Sequence, residues 1–271
     1  MPAFAAISPD KLSRLIGTSS CPVIIDVRPE PGKLVPASAV RPAETVFEWG
    51  PVLAGQQVVV LCVHGGSRSS GVAAYLRSEG VHAEILEGGF EAWCAAGLPL
   101  IDTSKLPRAN EDGRTVWVTR ARPKVDRIAC PWLIRRFVDP KAMFLFVPAA
   151  NVAEVADQLG ATPFDVEGVF WSHRGELCTF DVMVEELGLG SFDGLTRLAA
   201  IVRGADTAHP EIAPQAAGLL AASLGLSRMH GDDLAQLEDG MILYDAFYRW
   251  CRDAVDETHD WVAHTPRRRG K

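Results

Sequence analysis

The sequence predicts an α/β domain, a parallel sheet with helices on both faces, followed by a mixed, mainly helical α+β domain. Three observations carry this expectation. Short apolar runs such as VVVL, Val58 to Leu61, alternate with segments of helical spacing such as GVAAYL in the first part of the chain. The stretch IDTSKLPRANEDGRT, Ile101 to Thr115, is polar and aperiodic and carries Pro107 and Gly113. Beyond it, helical spacing dominates. The expected division is a first domain over 1–104, a linker over 105–115 and a second domain over 116–271, and 271 residues suffice to bury two cores.

The elements follow in order. Ser8-Pro9-Asp10 supplies an N-cap, a proline at the first helical position and an acid in the first turn, so a helix is expected through Leu12, Leu15 and Ile16. Cys21 to Val27 reads as the first strand, followed by a loose Pro-rich connection and a helix, VFEWGPVLAG, broken at Gly50-Pro51. The central strand, a glycine-rich loop and the GVAAYL helix come next, then the strand AEIL and a short helix, GFEAWCAA, closed by Gly97. In the second domain VWVTR and MFLFV read as strands. VDRIACPWLIRRFV reads as a helix that Pro131 forces to begin near Cys130 or to bend there. NVAEVADQLG reads as a helix with a capping box from Asn151 and Glu154. A strand and a tight turn at Arg174-Gly175 are expected before the helix around FDVMVEELG. Further helices are expected over Asp193 to Arg203, about Glu211 to Leu224 and Asp232 to about Thr258, and HTPRRRGK is expected to be a flexible basic tail.

The first domain is organised around LCVHGGSRSSG, Leu61 to Gly71, which ends a buried strand and opens a helix. Cys62 therefore sits at a strand-to-helix turn, where the amides from Val63 to Arg68 form an anion-binding nest and the helix dipole adds to it. A cysteine beside a cation at a helix N-terminus favours the thiolate, and Arg68 supplies the cation. Gly65 and Gly66 allow the tight loop, Val63 and Ser67 complete it, and His64 is a candidate proton carrier or hydrogen-bond donor to a bound anion.

This loop, with IIDVR before it and LEGGFEAWCAAGLPL after it, resembles the active-site region of rhodanese-type sulfurtransferases over about Ile7 to Leu100. The resemblance implies that Cys62 carries a persulfide, taken from thiosulfate or another persulfide and passed to a thiol acceptor, with no cofactor required. Two departures stand out. KLVPASAV replaces the usual stretch after the first strand, and Arg68 follows Cys62 by one residue more than the common sulfurtransferase spacing. That longer spacing is shared with tyrosine phosphatases and arsenate reductases, so an oxyanion (arsenate or chromate) reductase or a phosphatase is the alternative enzyme.

The six cysteines form no CxxC pair, which argues against a zinc knuckle or a disulfide framework. The opening MPAFAAISPDK lacks the pattern of a secretory leader, and no apolar run approaches a membrane span, so a cytoplasmic chain without a membrane partner is expected. The net charge is −7, with 9 basic and 10 acidic residues up to Arg108 and 18 and 24 after it. Inside the acidic second part, Arg114, Arg120, Arg122, Lys124, Arg127, Arg135 and Arg136 are opposed within their own stretch only by Asp126. An acidic protein with one local basic stretch suits small anions, thiosulfate or chromate, and disfavours nucleic acid.

WVTRARPKVDRIACPWLIRRFVDP and SHRGELCTFDV resemble the C-terminal domain of ChrB-type chromate resistance proteins, from about Val116 to Trp250. Carried over on the motif match are Arg127, Cys130, Trp132, Arg135, His173, Cys178 and Asp181. Cys130, between Arg127 and the Arg135-Arg136 pair, is the candidate reactive thiol beside a bound dianion, the alternative being a thiol packed under Trp132. His173, Cys178 and Asp181, with Cys130, Asp206 and His230 in reach if the helices fold back, are candidate ligands for zinc or iron, although their spacing matches no standard motif and the metal stays undetermined. The sequence thus supports a sulfurtransferase linked to chromate resistance, with a non-enzymatic chromate sensor as the reading outside enzymology.

Overall fold

The structure, a computed structural model, describes residues 5–111 and 113–258; the expected basic tail lies outside them. The first half runs β1 (Ala6–Ile7), α1 (Pro9–Ser13), β2 (Val23–Asp26), β3 (Lys33–Leu34), β4 (Ser38–Val40), α2 (Val46–Trp49), β5 (Gln57–Leu61), α3 (Ser67–Ser78), β6 (His82–Leu86), α4 (Gly89–Ala95) and β7 (Ile101–Asp102). Five strands form one wholly parallel sheet in the order β1-β6-β5-β2-β4. Alternation along each strand gives the sheet two apolar faces. Ile25, Val58 and Val60 pack with Val72, Ala73 and Leu76 of α3 on one side, whereas Ile24, Val59 and Leu61 join Leu12, Ile16 and Trp93 on the other. The expected loose connection after β2 instead contains β3 and β4: β4 extends the sheet beside β2, and β3 pairs antiparallel with β7, near the end of the expected first domain. Both strands are too short for periodicity to show them.

The second half runs β8 (Val116–Arg120), α5 (Asp126–Leu133), β9 (Met143–Val147), α6 (Val152–Leu159), β10 (Thr162–Pro163), α7 (Thr179–Glu186), α8 (Asp193–Asp206), α9 (Ala216–Met229) and α10 (Asp233–Asp253). β10, β8 and β9 form a three-stranded parallel sheet. Three local expectations are corrected. Pro131 neither starts α5 nor ends it: the helix begins at Asp126, keeps Pro131 inside and loosens into a π turn over Ile134–Val138. A proline in a helix interior costs roughly 3 kcal/mol, and the burial of six further α5 side chains, Asp126, Ile128, Ala129, Cys130, Trp132 and Leu133, accompanies it here. Asn151 closes no capping box, because it is itself helical (φ −100°, ψ −7°) at the end of a 3-10 turn, and Glu154 accepts from Gln158 instead. The strand expected before α7 is reduced to two isolated bridges, Phe164 with Trp171 and Arg174 with Leu177.

No helix among the described residues is long and apolar enough to cross a membrane. The two halves share a core. One cluster of buried residues runs from Ile7, Leu12, Ile16 and Trp93 to Trp132, Phe137, Tyr244 and Tyr248. Gly17 lies at the contact with a left-handed φ of 79°, and a Cβ there would strike the rings of Phe137 and Tyr248. Gly17→Ala should therefore destabilise the whole chain by about 1–3 kcal/mol for overpacking alone, with backbone strain added. A urea denaturation followed by tryptophan fluorescence checks this; an unchanged midpoint would mean the halves do not meet at Phe137.

Candidate functional site

Cys62 directly follows the C-terminal end of β5, at the centre of the parallel sheet, where ligands of such sheets bind. Its loop is held from beneath by the turn before α4. Cys62 O accepts from Phe90 N at 2.9 Å and Val63 O from Glu91 N at 3.0 Å. Gly65 and Gly89 face each other there with φ of 67° and 62°, and a side chain on either would collide with the opposing backbone. The EGGFEAW segment is thus the seat that shapes the cysteine loop. Gly66 is the N-cap position of α3, and Ser67 is its first residue.

The Cys62 side chain is nearly covered, with a fractional exposure of 6%. Burial pushes its thiol pKa up, but the Ser69 hydroxyl and the backbone N–H groups of Ser69, Gly66 and His64 outweigh that, and the net shift is downward. The Ser69 Oγ lies 3.1 Å from Cys62 Sγ and is itself bonded to Gly66 O at 3.2 Å. Ser69 was not among the residues expected from sequence; its one signal is its place one turn into the helix that the loop opens.

Arg68 departs from expectation. Its Nε donates to Val27 O and its terminal nitrogen to Glu44 Oε1, each at 2.7 Å. The guanidinium thus ties the loop to the end of β2 and to the segment before α2, and the amides and Ser69 are what stabilise the sulfur. His64 turns outward, its Nδ1 2.9 Å from Glu91 Oε2 and its side chain 69% exposed. Val63 is exposed and contributes its carbonyl to the seat.

In the second half, the anion site expected around Cys130 is corrected. Cys130 is wholly buried, and burial together with the charges of Asp126, Asp165 and Asp206 raises its thiol pKa far above the ordinary value. The flanking arginines do not converge on it. Arg127 donates to Arg120 O and Ala121 O and pairs with Asp165, while Arg135 pairs with Glu238 at 2.6 Å and Arg136 with Asp245 at 2.7 Å. Trp132 is a core residue whose indole donates to Asp245.

Nor do His173, Cys178 and Asp181 form one ligand set. Cys178 and Asp181 cap α7: the Cys178 N–H and Sγ both donate to Asp181 Oδ2, and Asp181 Oδ1 accepts from Arg203 at 2.9 Å. Burial raises the Cys178 thiol pKa beyond any physiological range. His230 pairs elsewhere, with Asp239 at 2.8 Å. His173 does meet Asp206, along with two residues not expected from sequence, Asp126 at the start of α5 and Asp165 after β10. Its Nε2 lies 3.5 Å from Asp126 Oδ2, 3.5 Å from Asp165 Oδ1 and 3.2 Å from Asp206 Oδ2. Asp126, above all, raises the His173 pKa to about 9 against partial burial, with Asp206 and Asp165 adding to it. Asp165 and Asp206 are each raised by burial and then by the charge of Asp126. The signal for Asp126 was present in the sequence, as the lone acid of the basic stretch.

Residues 8–96 match the rhodanese-like domain family, and residues 117–251 match the family described as ChrB, C-terminal domain. The chain therefore carries a rhodanese-like domain followed by a ChrB-type C-terminal domain. A curated relative, Protein ChrB of Cupriavidus metallidurans, is 37% identical over 133 residues, 49% of this chain and 39% of the relative; the chain spans about two fifths of that protein's length. Among solved structures, a rhodanese-like domain protein from Staphylococcus aureus is 28% identical, covering 33% of this chain and 91% of that one, with a TM-score of 0.30. A thiosulfate sulfurtransferase from Pseudomonas aeruginosa is 22% identical, covering 37% of this chain and 20% of that one, with a TM-score of 0.32.

The partition of the loop between Ser69 and Arg68 is testable. Because the thiolate is the nucleophile, loss of a hydrogen bond that stabilises it raises the pKa and slows alkylation at neutral pH. Ser69→Ala should shift the pH profile of Cys62 alkylation, read by peptide mass mapping, to higher pH. Arg68→Ala should leave the midpoint in place; the opposite pattern would return the charge role to the arginine.

Proposed function

We propose that this chain, a rhodanese-like domain joined to a ChrB-type domain, is a sulfurtransferase in which Cys62 carries the transferred sulfur. The observation that carries the reading is the Cys62 sulfur just past the C-terminal end of the central parallel strand, 3.1 Å from the Ser69 hydroxyl, with its thiol pKa lowered by that hydroxyl and by the N–H groups of the loop. In the first step the Cys62 thiolate attacks the outer sulfur of thiosulfate. A new S–S bond forms on the cysteine, the S–S bond of thiosulfate breaks, and sulfite leaves with the bonding pair. In the second step an acceptor thiolate attacks the outer sulfur of the persulfide and releases the Cys62 thiolate. The persulfide and the thiolate are both anionic, and the same amides stabilise each without reorganising.

The longer spacing from Cys62 to Arg68 leaves a phosphatase or oxyanion reductase as the competing chemistry. Such a site needs the arginine fork free to grip a tetrahedral oxyanion through paired hydrogen bonds. Arg68 spends Nε on Val27 O and a terminal nitrogen on Glu44, which favours the single-sulfur reading. The ChrB-type half supports a setting in chromate resistance, in which sulfur transfer to small thiols would serve cells under oxidant stress.

Intact mass after incubation with thiosulfate tests the reading. The wild-type chain should gain one sulfur atom, lost again on addition of cyanide or a small thiol. Cys62→Ser should gain none while keeping the wild-type melting temperature. A wild-type chain that stays at its starting mass while Cys62 remains alkylatable would overturn sulfur transfer and leave the loop as an anion-binding element of a sensor.

A further inference from the structure

The ChrB-type half holds a second cluster that sulfur chemistry does not use. We propose that Asp126, His173 and Asp206, with Asp165 beside them, form a binding site for one divalent first-row transition-metal ion. Four separate elements bring these side chains together: the first residue of α5, the second residue after β10, the loop before α7 and the last residue of α8. Ligand atoms of Asp126, His173 and Asp206 all lie within 4.8 Å of one another.

The distances fit a coordination sphere better than a hydrogen-bond network. A single imidazole N–H serves one acceptor well, at about 2.7–3.2 Å. Here one nitrogen, His173 Nε2, faces three carboxylate oxygens at 3.5, 3.5 and 3.2 Å, so at least two of them gain no proton from it. Donors at about 2.1 Å from a tetrahedral centre stand roughly 3.4 Å apart, close to the separations of His173 Nε2 from its carboxylate neighbours.

The second observation is independent of the cluster's charge. Asp126 is wholly buried, and while its Oδ2 accepts from Thr179 N at 2.6 Å, its Oδ1 is buried with no hydrogen-bond partner among the described residues. An unpaired carboxylate oxygen in the interior costs several kcal/mol unless a cation meets it. The other members are already oriented. Thr179 Oγ1 donates to Asp165 Oδ1 at 2.9 Å, and the Asp126 N–H donates to Asp206 Oδ1 at 3.4 Å, the kind of outer support that fixes ligating carboxylates. Asp165 is offset by Arg120 and Arg127, whereas the carboxylates of Asp126 and Asp206 face the imidazole with no arginine or lysine ion pair among the described residues.

An approach from solvent exists. His173 is 41% exposed, and it borders a cavity of about 570 Å³ lined by Arg120, Asp165, Val166, Glu167 and Ser172. Two carboxylates and one imidazole, with a third carboxylate beside them, suit manganese, iron(II), cobalt or zinc, and not a soft ion such as copper(I). The neighbouring thiols do not belong to the set, since Cys178 is committed to Asp181 and Cys130 is buried.

The test uses the untagged full chain after dialysis against EDTA. Cobalt(II) titration should saturate at one ion per chain and give visible absorption bands without a thiolate charge-transfer band. His173→Ala and Asp206→Asn, both at partly exposed positions, should each weaken cobalt affinity by at least about tenfold, the lower end of the loss seen when even supporting residues are removed. Cys62→Ser should bind cobalt as the wild type does. Zinc should also raise the melting temperature of the wild-type chain, by binding its folded state; this arm stands even if a variant fails to fold. Absence of saturable binding, binding indifferent to both variants, or no thermal shift with zinc would overturn the proposal and leave an ion-pair cluster around a protonated His173.

Discussion

Phe137 sits where the two halves of the chain meet, and the arrangement of both depends on its contact with Gly17. The ring lies where a side chain on residue 17 would stand, and it packs edge-on to Tyr248, Phe192 and Trp132 at centroid distances of 5.6, 5.4 and 5.8 Å. Its carbonyl accepts from Ala37 N beside β4. The π turn over Ile134–Val138 carries this residue, so the loosening of α5 after Pro131 lies at the joint itself. At its other end, α5 is pinned by Asp126 to Thr179. One helix therefore connects the first-half core to the carboxylate cluster.

Strand alternation turns one face of the sheet toward this shared core and the other toward α3. Leu61 and Val59 point to the shared core, whereas Cys62 packs with Val60, Val72 and Ala73 on the α3 side. The sulfur is thereby turned away from the second half. The chain's thiols sort by what surrounds them. Cys62 has hydrogen-bond donors aimed at it, and Cys130 and Cys178 have carboxylates and apolar walls. A thiolate is stabilised only in the first surroundings. The second half is left with oxygen and nitrogen donors for whatever chemistry it performs.

Much of the first half was legible because its signals are local. β5, the loop glycines and the opening of α3 lie within about one strand and one turn of each other, and their spacing alone places Cys62. β3, β4 and β7 were not legible, since two- and three-residue strands exist through partners far away in the chain. Ser69 escaped notice because it acts across the first turn of a helix, and Arg68 misled because charge near a cysteine in sequence says nothing of where a long side chain is anchored. Asp165 and Asp206 reach His173 through tertiary folding, so no spacing rule contains them. Cys178 and Asp181 stand three apart, which is helix-cap spacing, and the cap is what they form.

The contrast between a basic stretch and an acidic second half has a structural resolution. Arg122, Arg135 and Arg136 pair respectively with Asp233, Glu238 and Asp245, all on α10. Arg122 also caps the turn before that helix through Ser227 O and His230 O, and Asp245 receives the Trp132 indole as well as both arms of Arg136. Partly exposed ion pairs of this kind contribute roughly 0–1 kcal/mol each, so apolar burial of Leu237, Met241, Tyr244 and Tyr248 supplies more of the stability. What the charges add is register. A slip of α10 by one turn would set its acids beside the wrong arginines and carry Gly240 away from Ile128, whose methyl occupies the space a Cβ there would need. Three of the residues that looked like an anion site thus specify where α10 lies, and two more, Arg120 and Arg127, stand at Asp165 on the rim of the cluster around His173.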